Sequence, residues 1–367
     1  MTELVEGAGG RVLAYAEHVP ALAAPYELAP MSAVLGRTRA GPGLALRDFA
    51  TVRADGESIR IGRNFFAGER ATAHIWDGNL GTTIGDDVTV GRFGLVHACT
   101  IGDGVVVAEH ATVMDGAEVG PHALIAPASV VPPRKKLAGG WLYAGHPAVP
   151  VREIAREELA AAAASIRAGR ASALVASADL PPPLDGAAHV RDAQGSGPLR
   201  SLHGRTPAIG RAYVAPTAVV AGDVHLADDA GIYFGCVVVA GGARITIGRR
   251  TNVQDNTFLV TDAVHGDLVV GENVTFGHNV RMGAGRIEDD ALIGMASRVD
   301  HGVVVERGGC IGAGAHVEAG TVVKAGWIWA GRPARAFREV KDAERAAFAE
   351  GVAVYVRYGA TYLAQAR

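Results

Sequence analysis

Several common signatures are scarce or missing in the 367-residue sequence. Aromatic residues make up 6% of it, and its three cysteines, Cys99, Cys236 and Cys310, lie far apart without metal-ligand spacing. This pattern excludes a disulfide framework and a cysteine-based zinc site, and it favours buried thiols in a reducing compartment. No basic block stands out against a formal net charge of −3, so we expect no nucleic-acid partner.

Long apolar runs are also missing. No stretch reaches the roughly 20 apolar residues that a membrane-spanning helix needs. The N-terminal stretch MTELVEGAGG has acidic residues in place of the apolar centre of a signal peptide. We therefore expect a cytoplasmic protein without a membrane partner.

Glycine is abundant instead, and 49 glycines without a collagen period indicate many tight turns. Aliphatic residues recur at every sixth position in two parts of the chain, with one step of five in each; we call these the hexad series. They comprise Ile84, Val90, Val96, Ile101, Val107, Val113, Val119, Ile125 and Val131, then Val270, Phe276, Met282, Ile287, Ile293, Val299, Val305, Ile311, Val317 and Val323. A period of six predicts short strands with one inward aliphatic residue, separated by corners of small residues or residues that tolerate a left-handed conformation.

The two series belong to two copies of one unit. Ile61 and Ile247 differ by 186 positions, and so do Arg92 and His278. GWLYAGHPA from Gly140 and GWIWAGRPA from Gly326 have the same offset. Each copy ends in a tail with helical patterning, so the sequence predicts a tandem duplication.

The predicted domain organisation follows from this duplication. Residues 1–30 form an N-terminal extension that belongs to neither copy and has no assignment. Residues 31–170 form the first unit with its helical tail, and residues 201–367 form the second unit with its C-terminal helix. Between them, residues 171–200 are rich in Pro, Gly, Ser and Asp and read as a linker.

Several segments resemble γ-class carbonic anhydrases. In the second copy these are YVAPTAVVAGDV, ITIGRRTNVQDN, VVGENVTFGHN and ALIGMASRV, and in the first TVRADGESIRIG, TTIGDDVTVG and LVHACTIGDG. The resemblance implies an all-β fold with peripheral helices: two tandem left-handed parallel β-helices, each followed by a C-terminal α-helix. It also implies a lyase that hydrates CO2, and self-association into a trimer or higher oligomer, because family members bind a metal between neighbouring β-helices.

The resemblance also assigns residues to a site. One β-helix of the family supplies two metal-binding histidines, which match His74 and His97, and its neighbour supplies a third, which matches His278. The remaining matches are Arg53, Asp55 and Asp255 in an ion cluster, Gln254 beside the reacting water, and Glu57 near a proton-shuttling carboxylate. Glu57 fits an ordinary surface residue equally well.

Neither copy has the whole set. The second copy has Val239, Gly241, Val260 and Gly283 at the positions of Arg53, Asp55, His74 and His97. The first has Gly68, Glu69 and Arg92 at the positions of Gln254, Asp255 and His278. The losses fall on complementary sides of one interface, which predicts one composite site built from both units, either within a chain or between chains.

Counting hexads places His74 and His97 one coil apart on the same face, a spacing at which two imidazoles can bind one metal. We expect one divalent metal per composite site, zinc first and iron or cobalt as alternatives, and a small-molecule substrate. Other functions stay open: a metal-dependent hydrolase or lyase acting on another small carbonyl or thioester, a hexapeptide acyl-CoA transferase, or a non-catalytic assembly scaffold.

Overall fold

The computed structural model describes residues 3–6, 9–169 and 197–366. Nearly all of the predicted linker at 171–200 lies outside the described residues. The chain divides into two compact units. Unit one contains the described residues up to 169, together with residues 365 and 366, and unit two contains those from 197 to 364.

Unit one consists of short strands and one helix. They are β1 Glu3–Glu6, β2 Arg11–Leu13, β3 Ala21–Leu22, β4 Tyr26–Leu28, β5 Ala33–Ala40, β6 Leu44–Leu46, β7 Thr51–Ile61, β8 Phe66–Ala67, β9 Thr72–His74, β10 Thr82–Ile84, β11 Thr89–Val90, β12 Leu95–His97, β13 Thr100–Ile101, β14 Val106–Val107, β15 Thr112–Val113, β16 Glu118–Val119, β17 Leu124–Ile125, β18 Val130–Val131, β19 Lys136–Leu137, β20 Trp141–Gly145, β21 Ala148–Glu153 and α1 Arg156–Arg167.

Parallel pairing stacks these strands into coils. Ile84 pairs with Ile101 and Ile101 with Val119, so successive coils follow the hexad series. The long strand β7 turns from one face of the coil to the next, since its first half pairs with β9 and its second half with β10. Strands β2 and β4, within the unassigned residues 1–30, pair in parallel with β5 and β6.

Unit two repeats the arrangement. Its elements are β22 Leu199–Arg200, β23 Ala208–Ile209, β24 Tyr213–Val214, β25 Val219–Leu226, β26 Gly231–Ile232, β27 Val237–Ile247, β28 Asn252–Val253, β29 Phe258–Asp262, β30 Leu268–Val270, β31 Thr275–Phe276, β32 Arg281–Met282, β33 Gly285–Ile287, β34 Leu292–Ile293, β35 Arg298–Val299, β36 Val303–Val305, β37 Cys310–Ile311, β38 His316–Val317, β39 Val322–Val323, β40 Trp327–Gly331, β41 Ala334–Glu339 and α2 Asp342–Gln365.

The hexad series form the cores of both units. Each of their members from Ile84 to Val131 and from Val270 to Val323 is buried. At the corners the backbone adopts positive φ, as at Asp87 and Asn273, where a short polar side chain tolerates it. Phe93 also has a positive φ, of 55°, so the corners accept larger residues than the sequence suggests.

Each unit ends in a helix packed on its own coil. Helix α1 buries Leu159, Ala162 and Ile166, and this cluster includes Phe66 and Val106. Helix α2 buries Tyr362, whose ring stacks on Tyr213 with centroids 4.7 Å apart. The predicted fold class, two tandem parallel β-helices with a helix after each, is therefore confirmed. No described helix is both long enough and apolar enough to cross a membrane.

Candidate metal centre

Two histidines of unit one lie side by side on neighbouring coils. Strands β9 and β12 pair in parallel with His74 opposite His97. Both side chains are buried, and their rings are tilted by 54° with centroids 5.1 Å apart. His74 Nδ1 lies 3.1 Å from His97 Nε2. The register thus brings one nitrogen from each ring to a common point.

A carboxylate contacts the far side of each ring. His74 Nε2 lies 3.2 Å from Asp55 Oδ1, and His97 Nδ1 contacts Asp115 Oδ1. Because an ionised carboxylate only accepts hydrogen bonds, each of these two nitrogens carries the ring proton. Such a contact fixes the tautomer and the orientation of an imidazole, as outer partners of metal ligands do.

The two inner nitrogens then have unprotonated lone pairs that face each other at 3.1 Å. This repulsion disappears if one ring takes up a second proton or if both nitrogens bind one cation. Two nitrogens bound tetrahedrally to one metal at 2.0–2.1 Å are about 3.3 Å apart. The histidine pair of unit one therefore fits two ligands of a divalent metal.

The ion-cluster residues of unit one lie in the middle of β7. Arg53 and Asp55 are two positions apart on one face of the strand, and the Arg53 Nη1 donates to Asp55 Oδ2. Both side chains are 0% exposed, so the pair is buried. Glu57, two residues further along, is partly exposed, and no hydrogen bond or ion pair of its side chain occurs among the described residues.

Unit two contains the complementary set. His278 Nδ1 lies 3.2 Å from Asp255 Oδ2, and both side chains are fully buried. Asp255 Oδ1 accepts the backbone N–H of Phe234 at 3.0 Å. This histidine, like those of unit one, therefore has a carboxylate against one ring nitrogen.

The side chain of Gln254 is hydrogen-bonded through its amide nitrogen. Its Nε2 donates to Asn252 Oδ1 at 3.1 Å, and Asn252 Nδ2 donates to Thr275 Oγ1 at 2.9 Å. Gln254 Oε1 is buried and accepts no hydrogen bond from the described residues. An unsatisfied buried carbonyl of this kind is suited to a polar ligand or water.

The replaced positions offer no such groups. In unit two Val239 is buried in an apolar cluster with Val237 and Ala221. In unit one Glu69 and Arg92 are exposed. Contacts in unit one join Arg53, Asp55, His74 and His97. In unit two, Asp255 lies against His278, and Gln254 precedes Asp255 in sequence. Neither unit has the other's set at the equivalent positions.

Sequence reasoning missed two partners. Asp115, which contacts His97, lies 18 residues after it, the length of one coil. Asn252, which holds Gln254, lies two residues before it in β28. Both spacings were visible in the sequence. Cys99 is buried, and burial, followed by the charge of Asp115, raises the pKa of its thiol well above the ordinary 9.0, which agrees with a packing role.

Comparison with known proteins adds to this geometry. No family model matches the chain. Gamma carbonic anhydrase 1, mitochondrial, of Arabidopsis thaliana is 33% identical over 174 residues, which cover 46% of this chain and 63% of the relative. A carbonic anhydrase of Geobacillus kaustophilus is 32% identical over 140 residues, or 38% of this chain and 76% of the relative. Protein YrdA of Escherichia coli is 36% identical over 175 residues, or 46% of this chain and 95% of YrdA.

The parallel hexad coil with polar outward residues defines a left-handed β-helix protein of the hexapeptide-repeat class. Within that class, the chain belongs to the γ-class carbonic anhydrase family. Less than half of this chain matches nearly the whole of YrdA, which agrees with two family-length copies in tandem. The chain spans less than two thirds of the length of the plant relatives. A carbonic anhydrase-like function is supported at family level, and the family implies a divalent metal.

Proposed function

We propose that the chain is a metal-dependent lyase that hydrates CO2 to bicarbonate, at a composite site with one metal held by His74, His97 and His278. The observation that carries this proposal is the pair of inner histidine nitrogens, 3.1 Å apart, each on a ring fixed by a carboxylate. Zinc is the metal we expect first, with iron or cobalt as alternatives.

The third ligand comes from unit two. His74 and His97 leave two positions of a tetrahedral metal unfilled, and a catalytic site needs one more protein ligand before the open position. His278 is the histidine of unit two at the family's third position, and its Nδ1 lies 3.2 Å from the buried Asp255 carboxylate. The complementary losses in the two units support sharing of one site over two independent sites.

A divalent metal held by three neutral imidazoles keeps its positive charge and lowers the pKa of water, which supplies the nucleophile for CO2. Asp55 and Asp115 hold the outer ring protons of His74 and His97. Gln254 Oε1 accepts a hydrogen bond from the reacting water and orients it. Arg53, Asp55 and Asp255 form the supporting ion cluster, and Glu57 transfers the released proton to solvent.

The composite site also bears on assembly. We propose that β-helices associate as a trimer or higher oligomer, through interfaces at which unit one meets unit two. An odd ring cannot alternate two kinds of unit, so some interfaces would join like units or lack the metal. Light scattering of the purified protein tests the assembly, and a monomer would require the two units of one chain to form the site together. A cytoplasmic location stays a prediction.

The decisive experiment mixes two inactive proteins. His74→Ala/His97→Ala lacks the unit-one ligands, and His278→Ala lacks the unit-two ligand. Each should lose its metal and its CO2 hydration, because the ligands that remain hold a metal far less tightly than three. If the site forms between chains, unfolding and refolding the two proteins together should restore part of both properties. If it forms within a chain, mixing should restore neither.

Metal analysis, measured together with CO2 hydration and acetyl-CoA binding, distinguishes the alternatives. Full metal occupancy in both variants would overturn the composite site. Bound metal without CO2 hydration would favour a hydrolase or lyase that acts on another carbonyl or thioester. Acetyl-CoA binding without metal would favour a transferase, and neither ligand would favour a scaffold. His225→Ala is the control, because this histidine is half-exposed and its ring pairs with Asp223 at the surface of unit two.

A further inference from the structure

A second histidine cluster lies on unit two, in the loop between β29 and β30. Asp262 ends β29, and its Oδ1 accepts the backbone N–H groups of Val264 and His265, both at 2.8 Å. The His265 ring folds back on the same residue, with Nδ1 2.9 Å from Asp262 Oδ2. His265 Nδ1 and Asp262 Oδ2 are thus already close to the separation of two ligands of one metal.

His301, which follows β35, lies against this loop. Its ring is parallel to that of His265 within 9°, with centroids 3.7 Å apart. Gly283 makes the approach of His301 to the coil possible, because a Cβ there would lie 2.2 Å from His301 Nδ1. In unit one the position of Gly283 is His97, so no equivalent approach is open there.

We propose that Asp262, His265 and His301 form a second metal site, which binds a divalent transition metal of the zinc class. One ligand atom from each residue lies within 4.8 Å of the other two. Two nitrogens of one metal are at most about 4.2 Å apart, twice the zinc–nitrogen distance. Tetrahedral ligands of one metal are about 3.3 Å apart, so binding requires the His265 and His301 rings to turn out of their parallel stack until both ring planes contain the metal.

The donor set agrees with this class of metal. Imidazole nitrogens with one carboxylate suit zinc, nickel or iron, whereas calcium and magnesium prefer oxygen ligands. Binding has a cost, because His301 Nδ1 accepts the backbone N–H of Ala284 at 3.2 Å, and a metal on this nitrogen replaces that bond. The His265 side chain is 44% exposed, so the bound metal exchanges with solvent.

This site does not depend on the proposed function, since it shares no residue with the composite site. Its counterparts in unit one are Trp76, Asn79 and Asp115, which do not provide two histidines. The site therefore belongs to unit two alone. A metal there would tie the loop after β29 to the coil that follows Gly283.

The test counts zinc per chain in the full-length protein after chelator treatment and equilibrium dialysis against Zn²⁺. His265→Asn introduces the unit-one residue, and His301→Ala removes the second ring. His225→Asn is the matched control, because its side chain is also 44% exposed and has one aspartate contact, Asp223. His265→Asn and His301→Ala should each bind one zinc fewer than the wild type, whereas His225→Asn should bind as many.

The counts separate this proposal from the composite site. If both sites exist, the wild type binds zinc at the composite site and at the second site, and His265→Asn and His301→Ala bind zinc only at the composite site. If the composite site does not exist, the wild type binds zinc only at the second site, and the two variants bind none. Equal counts in wild type, His265→Asn and His301→Ala would overturn the proposal, and so would a loss in only one variant. Circular dichroism checks folding of the variants. In wild-type crystals soaked in Zn²⁺, an anomalous-difference peak should lie between the side chains of Asp262, His265 and His301. The absence of this peak would also overturn the proposal.

Discussion

The two units place aliphatic side chains at equivalent inward positions. Val96 and Met282 are both fully buried, as are their successors Ile101 and Ile287. The outward positions differ, since His97 corresponds to Gly283. Because the coil is held by inward packing and backbone pairing, outward residues can change in one copy without loss of the fold.

The difference shows which positions a duplicated coil can vary. A copy that retains its inward residues keeps the fold, and under the proposed function the other copy supplies the outward groups that it lacks. Unit one retains the buried Arg53–Asp55 pair, while unit two has Val239 and Gly241 in those places. Each unit is thus a natural control for the other, and exchanging their residues tests what each outward group contributes.

The largest effect is expected from Arg53→Val, which introduces the unit-two residue. The variant leaves the buried Asp55 carboxylate without this guanidinium, and removing one partner of a buried ion pair costs about 3–5 kcal/mol. Urea unfolding at fixed protein concentration measures the loss. As a purely apolar comparison, Val239→Ala should cost only about 1.5 kcal/mol, for two buried methyl groups.

The double variant Arg53→Val/Asp55→Gly sharpens this prediction. The double variant has no uncompensated buried carboxylate at residue 55, so it should recover the electrostatic part of the stability that Arg53→Val loses. It should not recover the packing part, because valine and glycine are smaller than the residues they replace. If Arg53→Val unfolds at the wild-type urea concentration, the pair is not a buried ion pair in solution. If the double variant is less stable than the single one, the loss comes from packing.

The next effect concerns metal affinity. Asp115→Asn removes the carboxylate that accepts the His97 Nδ1 proton, and loss of such an outer partner lowers metal affinity about 10–100-fold. Zinc competition with a chromophoric chelator measures it. Asp223→Asn in unit two is the matched control, since Asp223 pairs with His225 and Arg244 and its side chain is as exposed as that of Asp115, 23% against 24%. Equal affinities in the two variants would contradict a supporting role for Asp115.

The repeating features of this molecule are those that could be predicted from sequence. The hexad period predicts Val96 and Met282 as inward residues because every coil presents the same geometry to the core. The same period places His74 and His97 on adjacent coils. A single five-residue step in each series keeps this register in both units.

Features that depend on rotamers or lack a period could not be predicted. The 18-residue spacing puts Asp115 one coil from His97, but their hydrogen bond depends on the rotamers of two outward side chains, which spacing does not determine. The loop at 262–266 interrupts the hexads, so nothing in the sequence indicates that His265 stacks on His301. Strands β2 and β4 lack the hexad series, and residues 1–30 therefore had no assignment.

The smallest expected effect is a pH dependence of the stability. It distinguishes two equivalent ion pairs, one next to the helix of each unit. Arg152 donates two hydrogen bonds to Glu158 in unit one, and Arg338 donates two to Glu344 in unit two. Glu344 also accepts the backbone N–H of Lys341 at 2.9 Å. The Arg338 hydrogen bonds, then the Lys341 N–H, lower the pKa of Glu344 from 4.5 to about 2, against a smaller effect of burial.

A lowered folded-state pKa stabilises the protein above the unfolded-state value, and this contribution is lost as pH falls toward the folded-state value. Glu344→Gln should therefore cost up to about 1 kcal/mol at pH 7, in the range of a partly exposed pair. The difference from wild type should shrink between pH 4.5 and pH 2. Glu158→Gln should show a smaller effect, because the hydrogen bonds from Arg152 lower the pKa of Glu158 without the help of a backbone N–H such as the one Lys341 donates to Glu344. Urea unfolding of wild type, Glu344→Gln and Glu158→Gln at several pH values measures both differences in the free energy of unfolding. If the difference between wild type and Glu344→Gln stays constant or grows in acid, the hydrogen bonds of Glu344 do not favour the ionised carboxylate.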